Sequence, residues 1–255
     1  MPDQTQPDPK KNDPRKTRTP DPPTAPTRSV GLQLGVAAVL VVVVVVAVIA
    51  VLQARDDAAD AAAAPPAATE RGGFVVGAPD APVTVEVVED FQCPACRQFE
   101  AANAELLADY AASGDVAVEY RGIAFLDRAS TTAYSTRALN ASACVMAEGV
   151  ETWAAFHDAL FTVQPPEGGA GLPDATLVDL AVQAGAEEDA VAQCVADRTW
   201  EAWTEDVTEA AFEGGVEGTP TVLVDGEPVE RLDPASLRAA VDAAVEAARA
   251  AQDER

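Results

Sequence analysis

Apolar positions change their spacing several times along this chain, and each change predicts a different element. From Leu34 to Leu52 the run "LGVAAVLVVVVVVAVIAVL" is 19 residues without a polar side chain. Uncharged sequence extends from Ser29 to Ala54, which is long enough to cross a bilayer as a helix. Further on, "PVTVEVVEDF" (82–91) and "DVAVEYRGI" (115–123) are β-branched enough for largely buried strands. Between them Phe99, Ala102, Leu106 and Tyr110 recur at steps of three and four, the stripe of an amphipathic helix. Strand, helix and strand make a βαβ unit. From about 128 to 212 the period is helical: "WAAFHDALF" puts Trp153, Phe156, Leu160 and Phe161 on one stripe, and the loop "PPEGGAGLP" separates it from further short helices. "GTPTVLVDGEPVERL" (218–232) then reads as a hairpin turning at Asp225-Gly226, and 233–251 as a closing helix with Asp233 as N-cap and Pro234 at its first position.

These elements predict one α/β domain over 73–252, a central sheet flanked by helices with a helical insertion at about 128–212. Residues 1–29 mix proline and charge without an apolar face and predict a disordered tail. Residues 30–53 predict a transmembrane anchor, and the Ala/Pro/Asp-rich stretch 54–72 a tether. A cleaved signal peptide competes with the anchor, but its apolar region is normally shorter.

Charge sets the orientation and limits the partners. The tail carries Lys10, Lys11, Arg15, Lys16, Arg18 and Arg28, whereas just Arg55 and Arg71 follow within 20 residues of the span. By the positive-inside rule the N-terminus is cytoplasmic and the domain extracytoplasmic, an oxidising setting for thiols. With 17 basic against 42 acidic residues, a net charge of −25, the chain is unsuited to nucleic acid.

The chemistry concentrates in "EDFQCPACRQFE" (89–100). If the helix starts at Pro94, Cys93 is its N-cap, and the free amides and positive end of the helix dipole favour the Cys93 thiolate. Cys93 is then the nucleophile and leaving group, and Cys96, one turn in, closes the disulfide. Structural zinc would need more close-spaced ligands than one C-x-x-C with isolated Cys144, Cys194 and His157. A permanent staple would gain little from so short a loop. Neither a metal nor another cofactor is called for.

The motif "FQCPACRQF", the downstream "GTPT" at 218–221 and the helices between them resemble the DsbA-like branch of the thioredoxin superfamily, in its membrane-anchored Gram-positive and actinobacterial form, over roughly 73–248. The resemblance implies a thioredoxin-like fold, Pro220 as the family's cis proline, and Thr219 with its backbone placed to pair with an extended substrate. Cys144 and Cys194 have a spacing like that of family members in which such a pair staples the helical insertion. It also implies a thiol:disulfide oxidoreductase, an oxidase acting on exported proteins with free thiols. A membrane quinone-linked partner, DsbB or a vitamin K epoxide reductase homologue, would reoxidise it. A reductase or isomerase, or a noncatalytic peptide-binding holdase, is the alternative. The family's dimeric isomerases carry an added dimerisation domain that is not seen here, so a monomer is expected.

One departure stands out. Relatives carry a buried acid six residues before the first cysteine, where this chain has Val87 flanked by Glu86 and Glu89, so the group that handles the Cys96 proton is unassigned. Asp90 reads as a turn or cap residue. His157, on an apolar-striped helix, reads as a packed or hydrogen-bonded side chain.

Overall fold

The computed structural model describes residues 43–46, 48 and 64–253. By internal contacts the chain divides into residues 1–52 and 53–255. In the first unit Val43, Val44, Val45, Val46 and Val48 are helical and at least half exposed. The tail 1–29, most of the expected anchor 30–53 and the tether up to residue 63 lie outside the described residues. Among the described residues no helix is long and apolar enough to cross a membrane.

The second unit is built on a mixed sheet of five strands, β1 (Phe74–Val76), β2 (Val83–Glu89), β3 (Val116–Gly122), β4 (Thr221–Val224) and β5 (Glu227–Pro228), in the order β1-β3-β2-β4-β5. Strands β2 and β3 run parallel, Val83 opposite Val116 through Glu89 opposite Gly122, joined by α1 (Pro94–Ser113). The other pairs are antiparallel. The βαβ unit and the hairpin stand where the apolar spacing placed them. Asp225 and Gly226 both take positive φ, 48° and 86°, as a tight two-residue hairpin turn requires. In α7 (Pro234–Asp253) the Ser236 amide donates to the Asp233 carboxylate at 3.1 Å, an N-cap. Strand β1, three residues long, escaped the sequence reading; it covers the outer edge of β3 and sets Phe74 against Trp153 and Trp203 at 5.6 and 5.8 Å.

The two central strands are buried on both faces, as a parallel pair flanked by other elements must be. One face carries Val85, Val87, Val118 and Tyr120 into the core. On the other, Glu86 pairs with Arg121 at 2.8 Å and with Arg71 at 3.3 Å, and Glu119 takes Arg71 and the Thr69 hydroxyl. Buried carboxylates need such partners. Residues 69–72, read from sequence as the end of the tether, are therefore folded against the sheet, because Arg71 closes its charged face.

Five helices form the insertion: α2 (Tyr134–Met146), α3 (Val150–Thr162), α4 (Asp174–Ala184), α5 (Glu188–Asp197) and α6 (Glu201–Glu213). All of α2 is buried, and most of its polar side chains are met internally, the Tyr134 hydroxyl excepted. Arg137 donates to the Leu172 and Ala170 carbonyls and to Asp174, and Ser142 accepts from the Trp153 indole at 2.7 Å. Cys144 of α2 and Cys194 of α5 are disulfide-bonded, with Cα atoms 6.0 Å apart and a sequence separation of 50. Closing a loop of that length restricts the unfolded chain by about 4 kcal/mol at most. Replacing both cysteines by serine is expected to lower unfolding free energy by about 2 to 4 kcal/mol in guanidinium titration, with the thiol chemistry of Cys93 retained.

Candidate active site

Strand β2 delivers the chain to the site and Asp90 turns it. The Asp90 carboxylate is wholly buried and accepts from the Gln92 amide at 2.7 Å, the Leu126 amide at 2.8 Å and the Ser135 hydroxyl at 2.7 Å. Burial raises its pKa to about 6 against the pull of those bonds. Asp90 thus makes the local turn and also binds the β3–α2 loop and α2 to the site. Two glutamines hold the loop after α3 alongside. Gln92 donates to the Pro166 carbonyl at 3.2 Å, and Gln164 donates to the Cys93 carbonyl at 2.9 Å.

Cys93 is the N-cap of α1, with φ −78° and ψ 117°, and Pro94 follows at the first helical position. Its thiol lies 3.3 Å from the Thr219 carbonyl oxygen, to which it donates, and the Thr219-Pro220 peptide is cis. The fold thus brings Cys93, Cys96, Thr219 and Pro220 together, although Thr219 lies 126 positions after Cys93 in sequence. Cys144 and Cys194 are bonded to each other in the insertion, whereas Cys93 and Cys96 are free thiols.

The two thiols are unlike. Cys93 keeps 8 % of its surface and Cys96 none. A hydrogen bond from the Cys96 thiol lowers the Cys93 pKa to about 6, overcoming burial, with help from the Cys96 and Ala95 amides. The helix-terminus argument from sequence therefore named a contributor but missed the largest one. Burial drives the Cys96 pKa far up, and the neighbouring Cys93 and Glu89 add to it.

Beneath the thiols lie groups that sequence reasoning did not assign. Glu89 hydrogen-bonds to Nε2 of His157, and both are buried. The imidazole is ringed by Phe91, Tyr120, Trp153 and Phe161, with centroids 5.7, 4.8, 4.9 and 5.1 Å away. Burial opposes its charge, but Glu89, Glu100 and Asp158 together outweigh that and raise its pKa. Val87 is core, and the carboxylate on its side of the strand is Glu89, two residues on, while Glu86 faces the arginines. Period-two alternation from Val85 and Val87 was the signal that separates Glu89 from Glu86. Glu100, four residues beyond Cys96, is a further buried acid.

Comparison with known proteins places this architecture. The family model described as Thioredoxin matches residues 69–243. The reduced disulfide bond oxidoreductase DsbG of Mycobacterium tuberculosis is 32% identical, with TM-score 0.62 over 72% of this chain and 95% of that one. Oxidised DsbA of Mycobacterium tuberculosis is 34% identical, with TM-score 0.58 over 72% of this chain and 96% of that one. Among curated proteins, the serine/threonine-protein kinase PknE of Mycobacterium tuberculosis is 34% identical over 174 residues, 65% of this chain but 31% of the kinase. The chain thus spans about a third of that relative's length. The chain belongs to the thioredoxin family and, within it, to the DsbA-like thiol:disulfide oxidoreductases.

The pH dependence of Cys93 follows from its lowered pKa. Its thiolate stabilises the reduced fold fully above the unfolded thiol pKa of about 8.5, and that contribution is lost as pH falls through about 6. Alkylation of reduced protein by iodoacetamide is expected to rise with a midpoint near pH 6, and Cys96→Ala to move the midpoint upward. A midpoint unchanged in that variant would contradict the hydrogen-bond assignment. Separately, His157→Ala leaves the Glu89 carboxyl buried without its hydrogen-bond partner and is expected to cost about 1 to 3 kcal/mol in denaturant unfolding.

Proposed function

We propose that this protein is a membrane-anchored extracytoplasmic oxidase that introduces disulfides into exported proteins through Cys93 and Cys96. The observation that carries the direction is the stabilised Cys93 thiolate, with its pKa lowered to about 6. A disulfide whose reduction yields a stabilised thiolate is readily reduced, so it passes oxidising equivalents to others. The fully covered Cys96 leaves Cys93 as the sulfur open to attack.

A substrate thiolate attacks Cys93 Sγ and breaks the Cys93–Cys96 bond, whose electron pair leaves on Cys96. A second substrate thiolate then attacks the substrate sulfur of the mixed disulfide, and Cys93 departs as thiolate. Two substrate thiols are thereby oxidised and the enzyme pair reduced. Thr219 and cis-Pro220 position the extended substrate against Cys93, and the Thr219 carbonyl at 3.3 Å supports that role. The uncharged run 30–53 serves as the anchor, with the six basic residues before it holding the N-terminus in the cytoplasm. A quinone-linked membrane partner, DsbB or a vitamin K epoxide reductase homologue, returns the pair to the disulfide.

The deciding measurement is the reduction potential of the Cys93–Cys96 pair in the full chain in detergent, equilibrated against glutathione. A value near roughly −120 mV is expected, whereas one near roughly −270 mV makes the protein a reductant and overturns the oxidase reading. Cys93→Ser is expected to abolish oxidation of a reduced, unfolded substrate protein. Oxidation that survives it would contradict the assignment.

A further inference from the structure

Disulfide exchange needs the three sulfurs in line. When Cys96 resolves a mixed disulfide, its sulfur must approach Cys93 Sγ along the axis of the bond that breaks, and a misplacement of about 1 Å in such a step costs roughly 100-fold in rate. Cys93 must therefore be held while it carries a substrate. Its place in the chain gives it little support. As the N-cap it stands outside the helix proper, with φ −78° and ψ 117°, and Pro94 after it has no amide to donate.

Helix α1 holds the Cys93 carbonyl by a single bond, from the Arg97 amide at 3.2 Å, at the long end of the normal range. The side-chain amide of Gln164 donates to the same oxygen at 2.9 Å, the shorter of the two contacts. Gln164 is 9 % exposed, and its backbone is fixed apart from the site, its own amide donating to the Phe161 carbonyl at 3.4 Å where the chain leaves α3. Gln92, just before Cys93, donates to the Pro166 carbonyl, so the same loop is joined to the chain at two successive residues. Cys93 is thus held from several directions. Its amide donates to the Asp90 carbonyl at 2.9 Å, its thiol meets the Thr219 carbonyl at 3.3 Å, and its carbonyl is held by Gln164.

We propose that Gln164 is a positioning residue for thiol exchange, holding the Cys93 carbonyl so that the Cys93 sulfur stays in line between Cys96 and the substrate sulfur. This role rests on thiol exchange at Cys93 and Cys96, and it names the residue through which the helical insertion steers the attacked sulfur. In the step it serves, the Cys96 thiolate attacks Cys93 Sγ, the bond from Cys93 to the substrate sulfur breaks, and its electron pair leaves with the substrate thiolate. The reverse step, with Cys96 as the leaving group, passes through the same alignment. Gln164 exchanges neither proton nor electron. A neutral amide suits the place, because a carboxylate of the same shape would set oxygen against the carbonyl oxygen and negative charge beside the Cys93 thiolate.

The test uses the full-length chain in detergent, reduced and labelled at Cys93 with Ellman's reagent, so that attack by Cys96 releases the coloured thiol. The same reduced protein, unlabelled, is alkylated with iodoacetamide, a reaction of Cys93 that needs no alignment with Cys96. Gln164→Ala is expected to slow release about 10- to 100-fold, while alkylation at its high-pH limit stays within about twofold of wild type. Gln164→Glu keeps the shape and loses the donor. It is expected to slow release likewise and to move the alkylation midpoint above the wild-type value near pH 6. Release at the wild-type rate in folded Gln164→Ala overturns the proposal, and so does an equal loss of release and alkylation, the mark of a merely structural role. A wild-type protein that releases no thiol overturns the oxidoreductase reading instead, and this one with it. Should Gln164→Ala fail to fold, the isosteric Gln164→Glu decides by the ratio of release to alkylation. A lowered ratio is expected, and an unchanged one overturns the assignment.

Discussion

The parallel pairing of β2 with β3 is the constraint on which the site depends. Parallel neighbours cannot be joined by a tight turn, so the chain leaving β2 must cross over the sheet, and α1 is that crossover. The crossover begins at the end of the strand, which places the first turn of the helix over a fully covered interior. Cys93, at the cap, keeps a sliver of surface, and Cys96, one turn on, keeps none. A small difference in position thereby becomes a large difference in chemistry, because a low dielectric penalises the charged form of the deeper thiol and lets it donate to the shallower one.

The same burial forces the remaining charges into defined arrangements. On one face of the sheet, Glu86 and Glu119 are closed by Arg71 and Arg121, which ties the segment before β1 to the domain. On the other, Glu89 is closed by His157 from a helix 68 residues away in sequence. Glu100 has no such partner. The first face holds structure together, whereas the second sets buried charge beside the thiols and helps to keep Cys96 protonated. Alternation along one strand, Glu86 outward and Glu89 inward, separates the two tasks.

The helical insertion supplies His157, Ser135 and the loop bearing Gln164, so it belongs to the site as much as the sheet does. Asp90 links strand end, β3–α2 loop and α2 in one buried node, and Gln164 reaches back to the Cys93 carbonyl. The disulfide from Cys144 to Cys194 joins two helices of that insertion without touching the reacting thiols.

Much was legible in the chain itself. Strand and helix periods marked β2, α1, β3, the hairpin and α7 because burial on one or two faces writes a period of two or 3.6 into the residues. C-P-x-C ahead of a helical stripe marked the thiol pair, and G-T-P-T before a strand marked the loop that meets it. Strand β1 was too short to show a period, and Arg71 gave no sign of being folded because its partners lie on distant strands. The lowering of Cys93 by Cys96, the pairing of Glu89 with His157 and the hold of Gln164 on the Cys93 carbonyl were decided by the tertiary structure alone. Local sequence determines which face of an element is apolar, but hydrogen bonds and electrostatic shifts act through space between groups that the fold brings together, and their strength depends on a burial that no single segment provides.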